Sequence, residues 1–187
     1  MNSRHAPPIL LIGGGAGSGK TDLARSLAKE IPGAGVVHLD LCYHTDPALA
    51  PTVPRFDGEG RVVDFSNPEA LDTARIEAAV SAVDEASLIV VEGIFAFALS
   101  ELERRAAWTV YVDAPADIRL TRKLLRKAEE GKDLRTTLRG YDRTRQAHET
   151  HVAPARGRAQ LVVDGTLPPS TILREVREFL AVHPFTP

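Results

Sequence analysis

Short apolar segments recur along the chain and predict the strands of a buried sheet. Several are apolar throughout instead of alternating with polar residues, which is typical of strands that are covered on both faces. We assign five strands on this pattern: Ile9–Ile12, Val36–Leu39, Leu88–Val91, Thr109–Val112 and Leu161–Val163.

Helical patterns lie between these segments. They are predicted at Lys20–Glu30, Pro68–Val83, Phe97–Ala107, Pro115–Glu130, Leu134–His148 and Ser170–Val182. Strands that alternate with helices favour the α/β class, here a three-layer sandwich around a mostly parallel five-stranded sheet. Because the sequence contains no internal repeat and no sign of a second core, we expect residues 1–187 to form a single domain.

The segment His44–Arg61 interrupts this alternation, since it contains three prolines and two glycines and few periodic apolar residues. Long loops inside compact domains are uncommon, and most are lids or binding loops. This one leaves the second predicted strand at the edge where open α/β sheets bind ligands. We interpret residues 44–61 as a candidate substrate loop, and a passive surface loop is the alternative.

Composition narrows the class of protein. Of the 187 residues 43% are hydrophobic, which is enough for a sizeable core, and the net charge of −2 argues against nucleic acid as a partner. Cys42 is the only cysteine, so no internal disulfide can form. Residues 1–8 are too short and polar for a signal peptide, and no apolar run approaches the ~18 residues of a membrane span. These features predict a cytoplasmic protein without a membrane partner.

A glycine-rich loop follows the first predicted strand directly. Within it, the glycines and the Lys-Thr pair fit the pattern G-x-x-x-x-G-K-[ST]. Glycines let the main chain wrap closely around phosphate groups, and the helix that follows presents its positive end to the same anion. A glycine-rich turn without a ligand is the alternative. The predicted nucleotide-binding residues are Gly14, Gly15, Ala16, Gly17, Ser18, Gly19, Lys20 and Thr21.

The loop suggests ATP and Mg²⁺ as cofactors. In such loops the lysine bridges the β- and γ-phosphates and the hydroxyl of the last residue binds Mg²⁺. Lys20 and Thr21 are therefore the expected phosphate ligand and metal ligand.

Two acidic residues follow predicted strands. Asp40 ends the second strand, and Glu92 ends the third after four apolar residues and before a glycine. Phosphoryl transfer to an alcohol needs a base near the hydroxyl and a carboxylate that organises the metal, and both should lie at carboxyl ends of strands. We predict Asp40 as the base and Glu92 as the metal ligand. Capping of the next helix is the alternative for each.

From about Ile9 to Thr166 the chain resembles the uridine kinase family, within the broader group of phosphoribulokinases and pantothenate kinases. The glycine-rich loop is similar to its GGxGSGKT segment, and Asp40 with Tyr43 to D-x-F-Y. The stretch Asp64–Asp72 resembles N-F-D-H-P-D-A-x-D, and Glu92–Phe97 resembles E-G-I-L-A-F. Val112–Leu134 resembles the arginine-rich lid, which places a lid at residues 115–134.

The resemblance implies a P-loop fold of the nucleoside-kinase type and further site residues. Tyr43 would line the nucleoside pocket, Phe65 would contact the acceptor, and Phe95 and Phe97 would be pocket aromatics. Lys123 occupies the place of a substrate-contacting lid arginine. The resemblance also allows a homo-oligomer.

The chain departs from the family pattern at several places. Ser66 replaces the aspartate that holds the sugar hydroxyls, which removes a bidentate acceptor for a ribose diol. In the lid Lys123 and Lys132 replace arginines, and lysine cannot reproduce the arginine fork. Glu130 replaces another arginine, and Lys127 replaces an aspartate. For Ser66, capping of the next helix is a sufficient role, with Asn67 as an alternative cap.

Three lid arginines are spaced to share one helix face, namely Arg119, Arg122 and Arg126. Such a face could clamp the charge of the phosphoryl group in transfer, and a solvated basic face paired with Glu129 and Glu130 is the alternative. We assign Arg122 to nucleotide binding and Arg126 to catalysis, because the match to the family lid is best at Arg126.

Together these features predict a kinase that transfers the γ-phosphoryl group of Mg·ATP to a hydroxyl of a small molecule. A nucleoside similar to uridine or cytidine is the leading acceptor. A sugar, glycerate or a pantothenate-like alcohol is the alternative, which Ser66 and the altered lid favour. A nucleotide-binding regulator without catalysis is a third function, against which the intact Asp40 and Glu92 argue.

Overall fold

The structure, a computed structural model, describes residues 6–55 and 58–185. Residues 1–5, on which part of the signal-peptide prediction rests, lie outside the described residues, as do Phe56 and Asp57 of the candidate substrate loop and the last two residues. In chain order the strands are β1 (Ile9–Gly14), β2 (Ala34–His38), β3 (Thr52–Pro54), β4 (Arg61–Val63), β5 (Leu88–Glu92), β6 (Ala106–Asp113) and β7 (Leu161–Asp164).

Five of these strands form one parallel sheet in the order β2-β5-β1-β6-β7. All five were predicted, because apolar residues fill both faces of each central strand. Successive residues of β1 point to opposite faces, so that Ile9 and Leu11 join one core cluster and Leu10 and Ile12 join the other. The sheet therefore has a hydrophobic core on each side.

Helices cover both faces and complete the three-layer α/β sandwich expected from the sequence. One face carries the first and last helices, with Leu23, Leu27, Ile172 and Val176 in its core. The other face carries the second and third helices, with Ile76, Val80 and Leu102. In chain order the helices are α1 (Lys20–Glu30), α2 (Thr73–Ser81), α3 (Ser100–Arg105), α4 (Ala116–Glu129), α5 (Leu134–Arg139), α6 (Tyr141–Ala147) and α7 (Pro169–Val182).

The helices α4, α5 and α6 differ from the others because none of their residues is buried. The predicted single helix Leu134–His148 is wrong in detail: α5 ends and α6 begins at Gly140, a residue of low helix propensity. A π-helical turn, His148–Val152, follows α6.

The predicted helix Pro68–Val83 is also divided. Asn67 caps a short 3-10 turn at Pro68–Ala70, and Asp72 then caps α2 by accepting the main-chain N–H groups of Ala74 and Arg75. The alternative cap is therefore correct, and Ser66 does not cap this segment.

The described residues of the segment His44–Arg61 contain regular structure that the composition of the segment does not suggest. It contains a 3-10 turn at Pro47–Leu49, and β3 pairs with β4 in an antiparallel hairpin. The Arg61 side chain donates hydrogen bonds to the hydroxyl and the carbonyl oxygen of Thr52 across the hairpin. Within the described residues, no helix is long and apolar enough to cross a bilayer.

Candidate active site

The glycine-rich loop joins β1 to α1 at the carboxyl edge of the sheet. Gly14, Gly17 and Gly19 have φ angles of +145°, +85° and +104°, which other residues rarely adopt. No side chain caps α1, whose N-cap is Gly19. Since the first N–H groups of a helix have no partner within the helix, they are available to an anion in this loop.

The first turn of α4 lies directly against this loop. A methyl group at Gly15 would collide with the guanidinium of Arg119, and one at Gly17 would collide with the main-chain oxygen of Arg119. Arg122 Nη1 donates hydrogen bonds to the carbonyl oxygens of Gly165 at 2.8 Å and Gly17 at 3.4 Å. The two N-terminal arginines of the predicted basic face therefore contact the loop itself.

Replacing Gly17 by alanine is expected to weaken the binding of ADP at least ~10-fold. The positive φ alone costs about 1–2 kcal/mol for an L-residue, and the collision with α4 must also move either the loop or the helix. Calorimetric titration of ADP measures the effect.

Gly33→Ala is the matched control. Gly33 also has a positive φ, of +77°, but lies between α1 and β2 at the opposite edge of the sheet. We expect a lower melting temperature and unchanged ADP affinity there. Equal ADP affinity in Gly17→Ala and wild type would show that the contact with α4 does not shape the loop.

Glu92 and Thr21 lie together at the end of β5. The Thr21 hydroxyl donates a hydrogen bond of 3.0 Å to Glu92 Oε1, and His38 Nδ1 lies 2.7 Å from the same oxygen. The other oxygen, Glu92 Oε2, is buried and has no hydrogen-bond partner among the described residues. Mg²⁺ prefers oxygen ligands and is commonly held by one or two protein groups plus phosphates, so Oε2 and the lone pairs of the Thr21 hydroxyl fit such an ion.

Lys20, at the first position of α1, is 5% exposed, and its side chain forms no hydrogen bond or ion pair with a described residue. Burial lowers the pKa of Lys20; the carboxylates of Glu92 and Asp40 oppose this shift, and the cations of Arg126 and Arg119 add to it. A buried cation without a bonded partner is costly, and an anion in the loop would relieve this cost.

The expected acceptor residues lie beyond Lys20, after β2. Asp40 is exposed in a 3-10 turn at Leu39–Leu41. Tyr43 is buried, and burial together with the charge of Asp40 raises the pKa of its hydroxyl, which stays neutral. The Phe65 ring meets the Tyr43 ring edge-on at 5.2 Å and is 56% exposed. The structure therefore brings Asp40, Tyr43 and Phe65 to one region.

Phe95 and Phe97 are placed differently from the expectation, because both belong to the core. Phe95 is 1% exposed and lies edge-on to His151, while Phe97 is 4% exposed and packs against Tyr111 and the main chain at Gly13. Neither ring faces an open cleft. Their positions support the sheet beneath the loop, and contact with an acceptor would require the core to open.

Of the lid residues after Arg122, Lys123 is half-buried and Arg126 is exposed. Burial, followed by the cations of Lys127 and Arg126, lowers the pKa of Lys123. The Nε of Arg126 lies 3.8 Å from Glu130, a weak surface pair. Glu130 also accepts hydrogen bonds from Lys132 and Lys127, which lower its pKa to about 2.

The sequence reasoning did not assign a role to two residues of this site. Arg119 was placed on the basic face without a contact, and His38 was passed over within a strand. The position of His38 in the sequence could have indicated its role. His38 ends β2 and Glu92 ends β5, and the ends of neighbouring parallel strands lie side by side at one edge of a sheet.

Comparisons with known proteins show which family this chain belongs to and which proteins it resembles. Residues 10–150 match the family model described as an AAA domain, which is more than half of the chain. Uridine kinase from Deinococcus deserti is 27% identical over 87% of this chain and 90% of its own length. Uridine kinase from Chloroflexus aggregans is also 27% identical, over 85% of this chain and 87% of its own length.

A solved shikimate kinase from Acinetobacter baumannii shares the fold, with a TM-score of 0.60 and 16% identity over 97% of this chain and 96% of that structure. The resemblance to uridine kinases that the motifs indicate is therefore confirmed, and so is the expected α/β fold of P-loop kinases.

Proposed function

We propose that this chain, which belongs to the AAA domain family and resembles the uridine kinases, transfers the γ-phosphoryl group of Mg·ATP to a hydroxyl group of a small metabolite. The observation that carries the proposal is the convergence of a glycine-rich loop, the buried Lys20 and the Thr21–Glu92 pair at one edge of the sheet. The exposed carboxylate of Asp40 is near enough to influence Lys20.

In the proposed reaction the loop and Lys20 bind the phosphates and orient the γ-phosphorus toward the acceptor. A new bond forms between the acceptor oxygen and the γ-phosphorus, and the bond from that phosphorus to the β–γ bridging oxygen breaks. The electron pair of the broken bond leaves with ADP, and Asp40 takes the proton of the hydroxyl. Arg122 holds the lid on the loop, and Arg126 turns from Glu130 toward the transferred group.

Thr21 and Glu92 would hold Mg²⁺, which neutralises phosphate charge when it is bound. Glu92 would contribute the oxygen that has no hydrogen-bond partner among the described residues, and Thr21 would contribute its hydroxyl oxygen. The neutral Tyr43 and the exposed Phe65 would line the acceptor site, and Lys123 would contact the acceptor from the lid.

The experiment that tests the function is ADP release, coupled to a spectroscopic assay, with a panel of nucleosides, sugars and small hydroxy acids. We expect one acceptor class to raise ADP release well above the rate without acceptor. ATP binding without acceptor-dependent release would instead support a nucleotide-binding regulator.

Ser66 separates the acceptor classes. A neutral hydroxyl replaces the family aspartate, and a hydrogen bond to a charged group contributes about 1.5–3 kcal/mol. We therefore expect wild type to bind uridine about one to two decades more weakly than a kinase that keeps the acid. Asp64, which accepts the N–H of Ser66 at 3.0 Å, is a neighbouring acid that could take over this role.

Ser66→Asp is expected to raise kcat/KM for uridine about tenfold, because it restores a charged acceptor for the ribose diol. Ser66→Asn is the matched control of equal size without the charge, and it should give a much smaller gain. A low micromolar KM for uridine in wild type would contradict the emphasis on Ser66. Turnover of a sugar or a hydroxy acid, with none of any nucleoside in either form, would establish the alternative acceptor class.

A further inference from the structure

The parallel register of the sheet places a histidine beside the acid of the proposed cation site. His38 is the last residue of β2 and pairs directly with Glu92, the last residue of β5. Paired residues of neighbouring parallel strands project to the same face of the sheet. The ring of His38 and the carboxylate of Glu92 therefore lie side by side where the strands end.

The contact between them is direct. His38 Nδ1 lies 2.7 Å from Glu92 Oε1, and an ionised carboxylate can only accept, so Nδ1 carries the proton of this hydrogen bond. Oε1 also accepts the hydrogen bond from the Thr21 hydroxyl. Two donors from two different elements thus converge on one carboxylate oxygen.

This arrangement fixes the rotation of the carboxylate. With Oε1 occupied twice, the buried Oε2 has no hydrogen-bond partner in the described part of the chain. The His38 side chain keeps 25% of its surface exposed, while that of Glu92 keeps 2%. A purely apolar ring would fill the same space without orienting the acid.

We propose that His38 is a positioning residue, which holds Glu92 so that its free oxygen points to the cation that accompanies the nucleotide. The proposal rests on the proposed function only in requiring that the chain binds a metal–nucleotide complex. Side chains that orient metal ligands in this way typically change metal affinity 10- to 100-fold when they are replaced.

The test compares the affinity for β,γ-imido-ATP with and without Mg²⁺ by calorimetry, using the full-length protein. We expect Mg²⁺ to tighten binding in wild type. In His38→Leu this gain should fall about tenfold while the metal-free affinity stays unchanged. His38→Asn, whose amide nitrogen can occupy the place of Nδ1, should retain most of the gain.

Two further variants make the result decisive. His38→Gln carries its N–H donor one carbon farther from the main chain, and we expect it to lose the Mg²⁺-dependent gain in affinity as His38→Leu does. The glutamine variant keeps the test valid if the leucine variant fails to fold. His183→Leu is the control, because the ring of His183 contacts Phe179 at the end of α7. We expect its Mg²⁺-dependent gain to equal that of wild type.

The outcomes distinguish this inference from the proposed function. If wild type does not bind the nucleotide analogue under either condition, the proposed function fails. If wild type binds it with a Mg²⁺-dependent gain, and both His38→Leu and His38→Gln keep the full gain, His38 does not position Glu92. A loss in His38→Leu that His38→Asn does not restore would assign His38 a packing role instead.

Discussion

Lys20→Ala is expected to reduce ATP affinity by ~10²-fold or more without unfolding the protein. Lys20 is 5% exposed at the start of α1, and its side chain forms no hydrogen bond or ion pair with a described residue, so phosphate oxygens would be the first strong partners of its ammonium group. A hydrogen bond to a charged group contributes about 1.5–3 kcal/mol, and bridging two phosphates doubles that gain. Calorimetric titration with ATP measures the loss.

The folded state should tolerate this change, because the substitution removes a cation whose burial is unfavourable. We expect a melting temperature within a few degrees of wild type. Lys29→Ala, at the exposed end of the same helix, is the control and should bind ATP normally. Equal ATP affinity in Lys20→Ala and wild type would show that the glycine-rich loop does not bind ATP in the proposed way.

Asp40→Asn is expected to lower kcat by ~10²-fold or more and to leave ATP affinity nearly intact. General-base catalysis contributes about 10²–10⁴-fold, and an amide cannot accept the proton of the acceptor hydroxyl. Asp40 is exposed, and its charge affects the pKa of Lys20 in the proposed ATP site and the pKa of Tyr43 in the proposed acceptor site. We therefore expect Asp40 to lie between the two sites. Steady-state kinetics with the acceptor found in the screen measures the change.

The control for Asp40→Asn is the removal of a carboxylate that lies far from the proposed site. Asp84 is exposed after α2, at the edge of the sheet opposite the loop, and Asp84→Asn should keep full activity. A kcat for Asp40→Asn near that of wild type would move the base to another residue. A parallel loss of ATP affinity would indicate that Asp40 supports the nucleotide site and not the acceptor.

The sequence predicts the strands of the main sheet well, because the signals for them are local. Ile9–Gly14 and Leu88–Glu92 are apolar runs whose period and length are visible without any partner. The hairpin at Thr52–Pro54 and Arg61–Val63 was missed because each strand has three residues. Its pairing is stabilised by the Arg61 side chain on Thr52, a contact between residues nine positions apart.

In the candidate site, too, the features that depend on a local segment could be predicted, and those that depend on distant contacts could not. The glycine-rich loop could be predicted because its chemistry is contained in one continuous segment. The contacts of Arg119 with Gly15 and of His38 with Glu92 could not, since each depends on which elements become neighbours in space. Phe95 and Phe97, which a motif assigns to an acceptor pocket, are packed into the core, and the sequence motif gives no sign of this burial.

None of the residues in helices α4, α5 and α6, all of which the structure describes, is fully buried, although several, such as Lys123, are half-buried. Substitutions at exposed positions usually change stability by no more than about 0.5 kcal/mol. Apart from Arg119 and Arg122, which contact the glycine-rich loop or its neighbourhood, exposed positions in these helices can therefore change with little effect on the stability of the core. Such a protein can change the acceptor molecule that it recognises during evolution, while the stability of its central sheet and core is retained.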